Sequence, residues 1–226
     1  MEFVHKSVLF DEAISALELN EQKIIADGTA GGGGHSREIA KTAKRLIAID
    51  QDPDAISVLN ERIGALPNVT IVHNNFSDIK NIVDNLGLDG IDGMLLDLGV
   101  SSFQLDNGDR GFSFHQNAPL DMRMSKNGLS AYDVVNSYDE QSLADVIWRY
   151  GEEKFSRCIA KNIVKSRADK PIETTFELVD IIKSSMPQRE LKKGHPARKT
   201  FQAIRIEVND ELEKLSQALD LSLIHI

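Results

Sequence analysis

Between residues 23 and 97 the chain alternates short β-branched runs with helical patterns, the signature of a parallel sheet whose strands are joined by crossover helices. Strands are expected at 23–27, 45–50, 69–73 and 91–97. The intervening segments 35–43, 53–64 and 77–86 carry apolar residues at helical spacing, and Pro53 suits a first helical turn. Three βα units and a fourth strand restrict this half to an α/β, doubly wound, Rossmann-like sheet. An amphipathic segment at 8–17 precedes it as a lid or packing helix. After Asp97 comes a glycine-, serine- and aspartate-rich stretch, 98–124, too long for a routine connection and therefore expected to be functional. From there the pattern is helical, at 130–136, 139–150, 152–168, 174–185 and about 199–219, punctuated by Pro171, Pro187 and Pro196. The expected organisation is a sheet domain built from 1–104 and 198–226, with a helical domain, 105–197, inserted after the fourth strand.

Composition narrows the function classes. With 41% hydrophobic and 27% charged residues in 226, the chain can bury an ordinary core. Its one cysteine, Cys158, forms no internal disulfide and is expected to be a small buried hydrophobe. No apolar run reaches the roughly 20 residues of a membrane span, and the first residues lack a signal core, so the cytoplasm is the expected location. Scattered histidines and one cysteine give no zinc constellation, and no metal site is expected. A net charge of −9 argues against nonspecific wrapping of nucleic acid by the whole surface, while leaving room for a local basic patch.

The most informative segment runs from Ile24 through Asp27-Gly28-Thr29-Ala30-Gly31-Gly32-Gly33-Gly34-His35-Ser36, an apolar strand opening into four consecutive glycines at a helix start. Glycine lets backbone approach a ligand closely, and a strand's carboxyl end is where doubly wound folds bind cofactors. A P-loop would need Gly-Lys-Ser/Thr where Gly33-Gly34-His35 stands, and a dinucleotide fingerprint would need a third glycine at Ser36. A triphosphatase and an NAD enzyme are both disfavoured. Asp50, at the second strand's end, can accept hydrogen bonds from ribose hydroxyls or cap the helix at Pro53. Phe76 offers a face to an adenine ring or belongs to the core. Asp97 ends the fourth strand as a capping or ligand-contacting acid. Acids at three strand ends, a glycine turn and no phosphate-binding lysine fit an adenosine ligand without a pyrophosphate, and S-adenosylmethionine is the natural candidate.

At this point the residues match a known family. His5-Lys6-Ser7-Val8-Leu9, Asp27 through Ser36, Leu95-Leu96-Asp97-Leu98-Gly99-Val100-Ser101-Ser102, Arg110-Gly111-Phe112-Ser113-Phe114, Pro119-Leu120-Asp121-Met122-Arg123-Met124, Tyr150-Gly151-Glu152-Glu153 and His195-Pro196-Ala197-Arg198-Lys199-Thr200-Phe201-Gln202-Ala203-Ile204-Arg205-Ile206 occur in one order. The chain thus closely resembles the bacterial small-subunit ribosomal RNA cytosine-N4 methyltransferases, the RsmH or MraW family. The resemblance implies a methyltransferase sheet with an inserted helical substrate-recognition domain. It also implies S-adenosylmethionine contacts at Gly33, Gly34, His35, Asp50, Phe76, Asp97 and Gln104, of which His35 and Gln104 come from the resemblance alone. The implied substrate is a cytidine of 16S ribosomal RNA, within the small ribosomal subunit.

Methylating an exocyclic amine requires an acceptor for its N–H protons, so that the nitrogen can turn pyramidal and direct its lone pair at the methyl group. Asp97 is one candidate, aided by the carbonyls of Leu98 and Gly99. It stands where other amino-methyltransferases place an Asp/Asn-Pro-Pro-aromatic motif, but Leu98-Gly99-Val100 lacks the prolines and the aromatic. Asp121 is the alternative acceptor, unless it only pairs with Arg123. Phe103, Phe112 and Phe114 are candidates for stacking on an extruded base or for packing. From Arg157 to Lys199 eleven cations face five acids, a net +6 in a chain of −9 overall. Within that stretch Lys192, Lys193, His195, Arg198 and Lys199, loosened by Gly194 and Pro196, are expected to form an exposed basic loop on RNA phosphates.

The family pattern continues beyond residue 226 with a Pro-Gly-Gly-Arg turn, a further strand and a Ser-Phe-His-Ser-Leu-Glu-Asp-Arg segment, and the ending Leu221-Ser222-Leu223-Ile224-His225-Ile226 does not match it. A truncated copy with the fourth strand at a bare edge is expected. The competing classes are a noncatalytic RNA-binding remnant and a nucleotide-cofactor oxidoreductase.

Overall fold

The computed structural model describes residues 9–101, 104–105 and 107–222. The motif residues His5 to Val8 and Ser102, the stacking candidate Phe103 and the closing residues 223–226 lie outside the described residues. By internal contact the chain divides into two units, Met1–Phe103 with Leu212–Ile226, and Gln104–Glu211.

The first unit is built on four parallel strands, β1 (Ile24–Asp27), β2 (Arg45–Asp50), β3 (Val69–His73) and β4 (Gly93–Leu95), in the order β3-β2-β1-β4. The inner strands are continuously apolar because both of their faces are covered. With period two, Ile25, Leu46 and Ala48 turn to one face and meet Ile39, Leu59 and Ile63. Ala26, Ile47 and Ile49 turn to the other and meet Ile79, Ile82, Val83 and Ile91. Each of these isoleucines and leucines removed from water contributes about 1.5–3 kcal/mol. Helices α1 (Phe10–Ala16), α2 (Gly34–Ile39) and α3 (Pro53–Ile63) supply the first layer, and α4 (Ile79–Asn85) supplies the second together with Leu221 of the last helix, α11 (Glu211–Ser222). Pro53 stands in the first turn of α3, capped by Asp52, whose Oδ1 accepts from Asp54 N at 3.0 Å.

The fourth strand is shorter than its expected span of 91–97. At its start the Asp92 carboxylate accepts Ile24 N at 2.7 Å, and at its end Asp97 N donates to Thr29 Oγ1 at 2.7 Å. At the start the backbone pairing still reaches Asp92, whose N–H donates to Ile24 O at 2.8 Å, whereas at the end a side chain takes Asp97 N, so the ladder closes at Leu95. β4 is an edge of the sheet, pairing with β1 on one side.

The second unit contains α5 (Ala131–Ser137), α6 (Glu140–Gly151), α7 (Ser156–Asp169), α8 (Thr175–Ser184), the short α9 (Gln188–Leu191) and α10 (Arg198–Asn209). Helices α5 and α8 begin in capping boxes, Ser130 with Asp133 and Thr174 with Glu177. Three expectations change here. The helical pattern at 199–219 is two helices, broken at Asp210, which adopts φ 52°. The break follows from Asn209, which is buried and faces inward, its Oδ1 accepting Met124 N and its Nδ2 donating to Met122 O, each at 2.8 Å. Consequently α10 belongs with the helical unit, and the boundary expected at 197 falls at 211. Its closeness to α6 is plain at Gly151, where a Cβ would come within 2.5 Å of Lys199 O. Cys158 is exposed, contrary to expectation, because the inward stripe of α7 is formed by Ser156, Ile159, Ala160 and Ile163. No helix among the described residues is long and apolar enough to cross a membrane.

Candidate functional site

The carboxyl ends of β1, β2 and β4 come together around the glycine turn. At the end of β1, Asp27 is fully buried. Its Oδ2 accepts Ser36 Oγ at 2.6 Å and its Oδ1 accepts Thr29 N at 3.3 Å. Burial pushes this carboxyl up to about 6, against the pull of those two hydrogen bonds. The chain then makes two moves that only glycine permits. At Gly28 a Cβ would come within 2.6 Å of Leu96 and 2.9 Å of Phe76, so the turn passes directly over both side chains. At Gly33 the backbone adopts φ +81° to start α2. Gly34 differs from both, since a Cβ there would meet nothing within 4 Å. Its missing side chain leaves open surface at the first residue of α2.

Asp50 ends β2 and ties the turn down. One carboxylate oxygen accepts Gly31 N at 2.7 Å and the other accepts Asp52 N at 2.8 Å. Asp52, not Asp50, caps α3, so the capping alternative for Asp50 does not hold. Burial raises the Asp50 carboxyl above its ordinary value, opposed by these N–H donors. The Gln51 N–H draws on the same carboxylate, so of its four lone-pair positions one stays open for a ligand hydroxyl. Past β3, Asn75 caps a single 3-10 turn, Phe76–Asp78, that carries Phe76 inward to 7% exposure. The ring is thus part of the site floor, in contact with core.

His35 and Asp97 face each other across the turn. His35 Nδ1 lies 4.0 Å from Asp97 Oδ2, beyond hydrogen-bond length, and the imidazole stacks on Phe10 with centroids 4.9 Å apart. His35 Nε2 is buried and has no hydrogen-bond partner among the described residues. Leaving such a nitrogen unsatisfied costs about 1–3 kcal/mol, which a ligand's polar group would recover. Asp97 is the open acid of the set, its side chain 55% exposed.

The remaining predicted residues belong to the second unit. Gln104 is buried there. Asp121 takes the pairing alternative: its Oδ2 accepts Arg123 Nη2 at 2.6 Å and its Oδ1 accepts Arg123 Nε at 3.1 Å. Partial burial raises the Asp121 carboxyl, but the Arg123 hydrogen bonds outweigh it and hold the group below its ordinary value. Of the stacking candidates, Phe112 is buried, while Phe114 stacks on His195 with centroids 4.3 Å apart and meets Phe201 edge-on. Burial, with His115 and Lys183 nearby, lowers the His195 pKa. In the basic stretch Lys192 is exposed, Lys193 Nζ pairs with Glu190 at 2.9 Å, and Lys199 Nζ donates to Glu152 O at 3.0 Å. Arg198 opens α10. Among the described residues no group of three or more His, Cys, Asp or Glu could hold a metal ion.

Sheet order, glycine turn and strand-end acids define a Rossmann-like fold of the methyltransferase class. The model of the MraW methylase family matches residues 2–226, and the chain belongs to that family. Two relatives named ribosomal RNA small subunit methyltransferase H, from Clostridium botulinum strains Kyoto and Loch Maree, are 53% and 52% identical, each over 97% of this chain and 72% of the relative. A crystal structure of an rRNA methylase from Streptococcus thermophilus is 17% identical and covers 34% of this chain and 46% of its own, with a TM-score of 0.31, a likeness too slight to bear on function.

Proposed function

We propose that the chain transfers a methyl group from S-adenosylmethionine to the N4 amine of a cytidine in small-subunit ribosomal RNA, with the first unit holding the cofactor and the helical unit contacting RNA. The observation that carries the reading is the glycine turn bonded through Gly31 to Asp50, beside a buried and unpartnered His35 Nε2. These residues fit an adenosine-type ligand. Open surface at Gly34 admits it, Asp50 offers its remaining acceptor position to a hydroxyl, Phe76 supplies an apolar floor and His35 a polar nitrogen. Gly33 sets the approach of the backbone, and the family resemblance alone assigns Gln104 to the cofactor.

When bound, S-adenosylmethionine supplies an electrophilic methyl group on a sulfonium. The chain's own work is to prepare the nucleophile. Asp97 is half-exposed and makes no ion pair shorter than 4.0 Å among the described residues, so its carboxylate can accept an N–H hydrogen bond from the cytosine amine. That bond disfavours delocalisation of the lone pair into the ring and receives the proton that the amine sheds. Gly99, at φ +132°, turns the chain after Leu98 and leaves its neighbouring carbonyls as further acceptors. Asp121, with Arg123 on both oxygens, is left a structural role. Support for an RNA substrate comes from the names of the relatives and from the net +6 between residues 157 and 199.

The test is radiolabelled methyl incorporation into small ribosomal subunits and into naked 16S RNA, with the product nucleoside identified after digestion. The expected product is N4-methylcytidine, and Asp97→Asn should lower the rate about 100-fold or more while leaving the fold intact. A different methylated nucleoside, or full activity of Asp97→Asn, would reject the assignment.

A further inference from the structure

Helix α6 carries one residue that its own amphipathic pattern does not explain. Leu143, Ala144, Ile147 and Gly151 face inward and are buried. Asp145, Trp148, Arg149 and Glu152, at spacings of three and four, share the outward face. Trp148, the chain's one tryptophan, is therefore held in water at 57% exposure. An exposed indole presents a broad aromatic face to water on an otherwise polar helix face.

The surroundings say what suits that face. Trp148 lines an open groove with Asp145, Arg149, Glu152, Lys154 and Lys199. Lys199 is held there, its ammonium hydrogen-bonded to Glu152 O at 3.0 Å at the end of α6, where the helix dipole favours a cation. The Arg149 guanidinium lies 5.4 Å from the Tyr150 ring centroid. An aromatic face flanked by three cations matches the two demands of a single-stranded nucleic acid, a platform for a base and positive charge for the adjoining phosphates. Three cations against the two acids Asp145 and Glu152 leave a surplus positive charge beside the basic stretch 192–199, which favours a polyanion over an apolar peptide. Lys199 also belongs to the basic stretch 192–199, which makes the groove continuous in sequence with that loop.

We infer that the Trp148 groove is an RNA subsite, in which an unpaired base stacks on the indole while Arg149, Lys154 and Lys199 meet its phosphates. The inference rests on the reading that RNA is the substrate and adds to it a contact outside the cofactor site.

Because Trp148 is the one tryptophan, its fluorescence reports this groove alone. The full chain is titrated with a short single-stranded oligoribonucleotide, following both tryptophan emission and the anisotropy of a dye on the RNA, with heparin as a polyanion that has no bases. The expected result is saturable quenching by RNA but not by heparin, an affinity weakened about 5- to 100-fold in Trp148→Ala, and recovery in Trp148→Phe. Equal quenching by heparin would overturn base stacking. RNA binding with unchanged emission and unchanged Trp148→Ala affinity would overturn the subsite and leave the RNA reading intact. No RNA binding at all would overturn both. Circular dichroism of the variants guards against misfolding, which removal of a side chain this exposed does not threaten.

Discussion

Asp27 shows how a single buried acid shapes this site. Its hydrogen bonds from Ser36 and Thr29 place α2 against the end of β1, yet burial makes its charge expensive and lifts its pKa from 3.8 to about 6. A carboxyl whose folded pKa lies above its unfolded value binds its proton more tightly when folded. Its contribution to stability is therefore present at pH below about 4 and is lost as pH rises through about 6. Asp27→Asn, which keeps an acceptor for Ser36 without the charge, sets its amide N–H2 against Thr29 N at a cost that does not vary with pH, so relative to this variant the wild type should lose on the order of 2–3 kcal/mol of stability between pH 4 and neutrality. Urea unfolding of both proteins at pH 4 and pH 7 checks this, and a difference independent of pH would reject it. At this scale the sequence was legible where chemistry follows from position. The glycines, Asp50 and Asp97 could be chosen as strand-end residues next to a turn. His35 could not, because its significance lies in a nitrogen that burial leaves without a partner, and no local pattern encodes that. Trp148 is equally silent in the sequence, because its exposure depends on which face of α6 the rest of the unit covers.

Among the elements, β2 and β3 span the residues that hydrophobic patterning assigns to them, and β1 starts one residue later than expected. β2 is an apolar run covered on both faces, and β3 pairs with it along its whole length, from Leu46 opposite Val69 to Asp50 opposite His73. The elements that departed from expectation did so where side chains replace backbone partners. Thr29 closes β4 early, and Asn209 ends α10. Periodicity carries no mark of either event, since asparagine and aspartate are tolerated within a helix and reveal their role only once a distant backbone is placed beside them. Asn209 fastens the segment around Met122, itself at φ 58°, to α10 through bonds to Met122 O and Met124 N. Asn209→Ala should destabilise the helical unit by about 2–4 kcal/mol, because two buried backbone groups lose their partners. Chemical denaturation should show a lowered midpoint, and hydrogen exchange should show reduced protection concentrated at residues 122–124. A variant as stable as the wild type would mean that water takes over both bonds.

Over the whole molecule, charge is divided unevenly. The stretch 157–199 is basic within a chain whose net charge is −9, an arrangement that aims a polyanion at one region and repels it elsewhere. RNA affinity should accordingly fall steeply with salt. Lys192→Glu with Lys193→Glu should weaken binding at low salt and reduce the slope of log affinity against log salt, by about 0.7 for each phosphate of a single strand that is no longer neutralised. Anisotropy titrations at several salt concentrations measure both, and an unchanged slope would place the RNA elsewhere. The division into a sheet unit and a helical unit was legible from the change of period after Asp97. The position of the second boundary was not, because α10 and α11 read as one helix until the break at Asp210 is seen. The proposed activity depends first on the glycine turn and Asp50 holding S-adenosylmethionine. Calorimetric titration of the purified chain with that cofactor, alongside Asp50→Ala and with NAD as control, tests this without any RNA present. Saturable binding of S-adenosylmethionine alone, weakened by Asp50→Ala, is the expected outcome. A folded chain that binds no S-adenosylmethionine, or binds it equally well without Asp50, would refute that role.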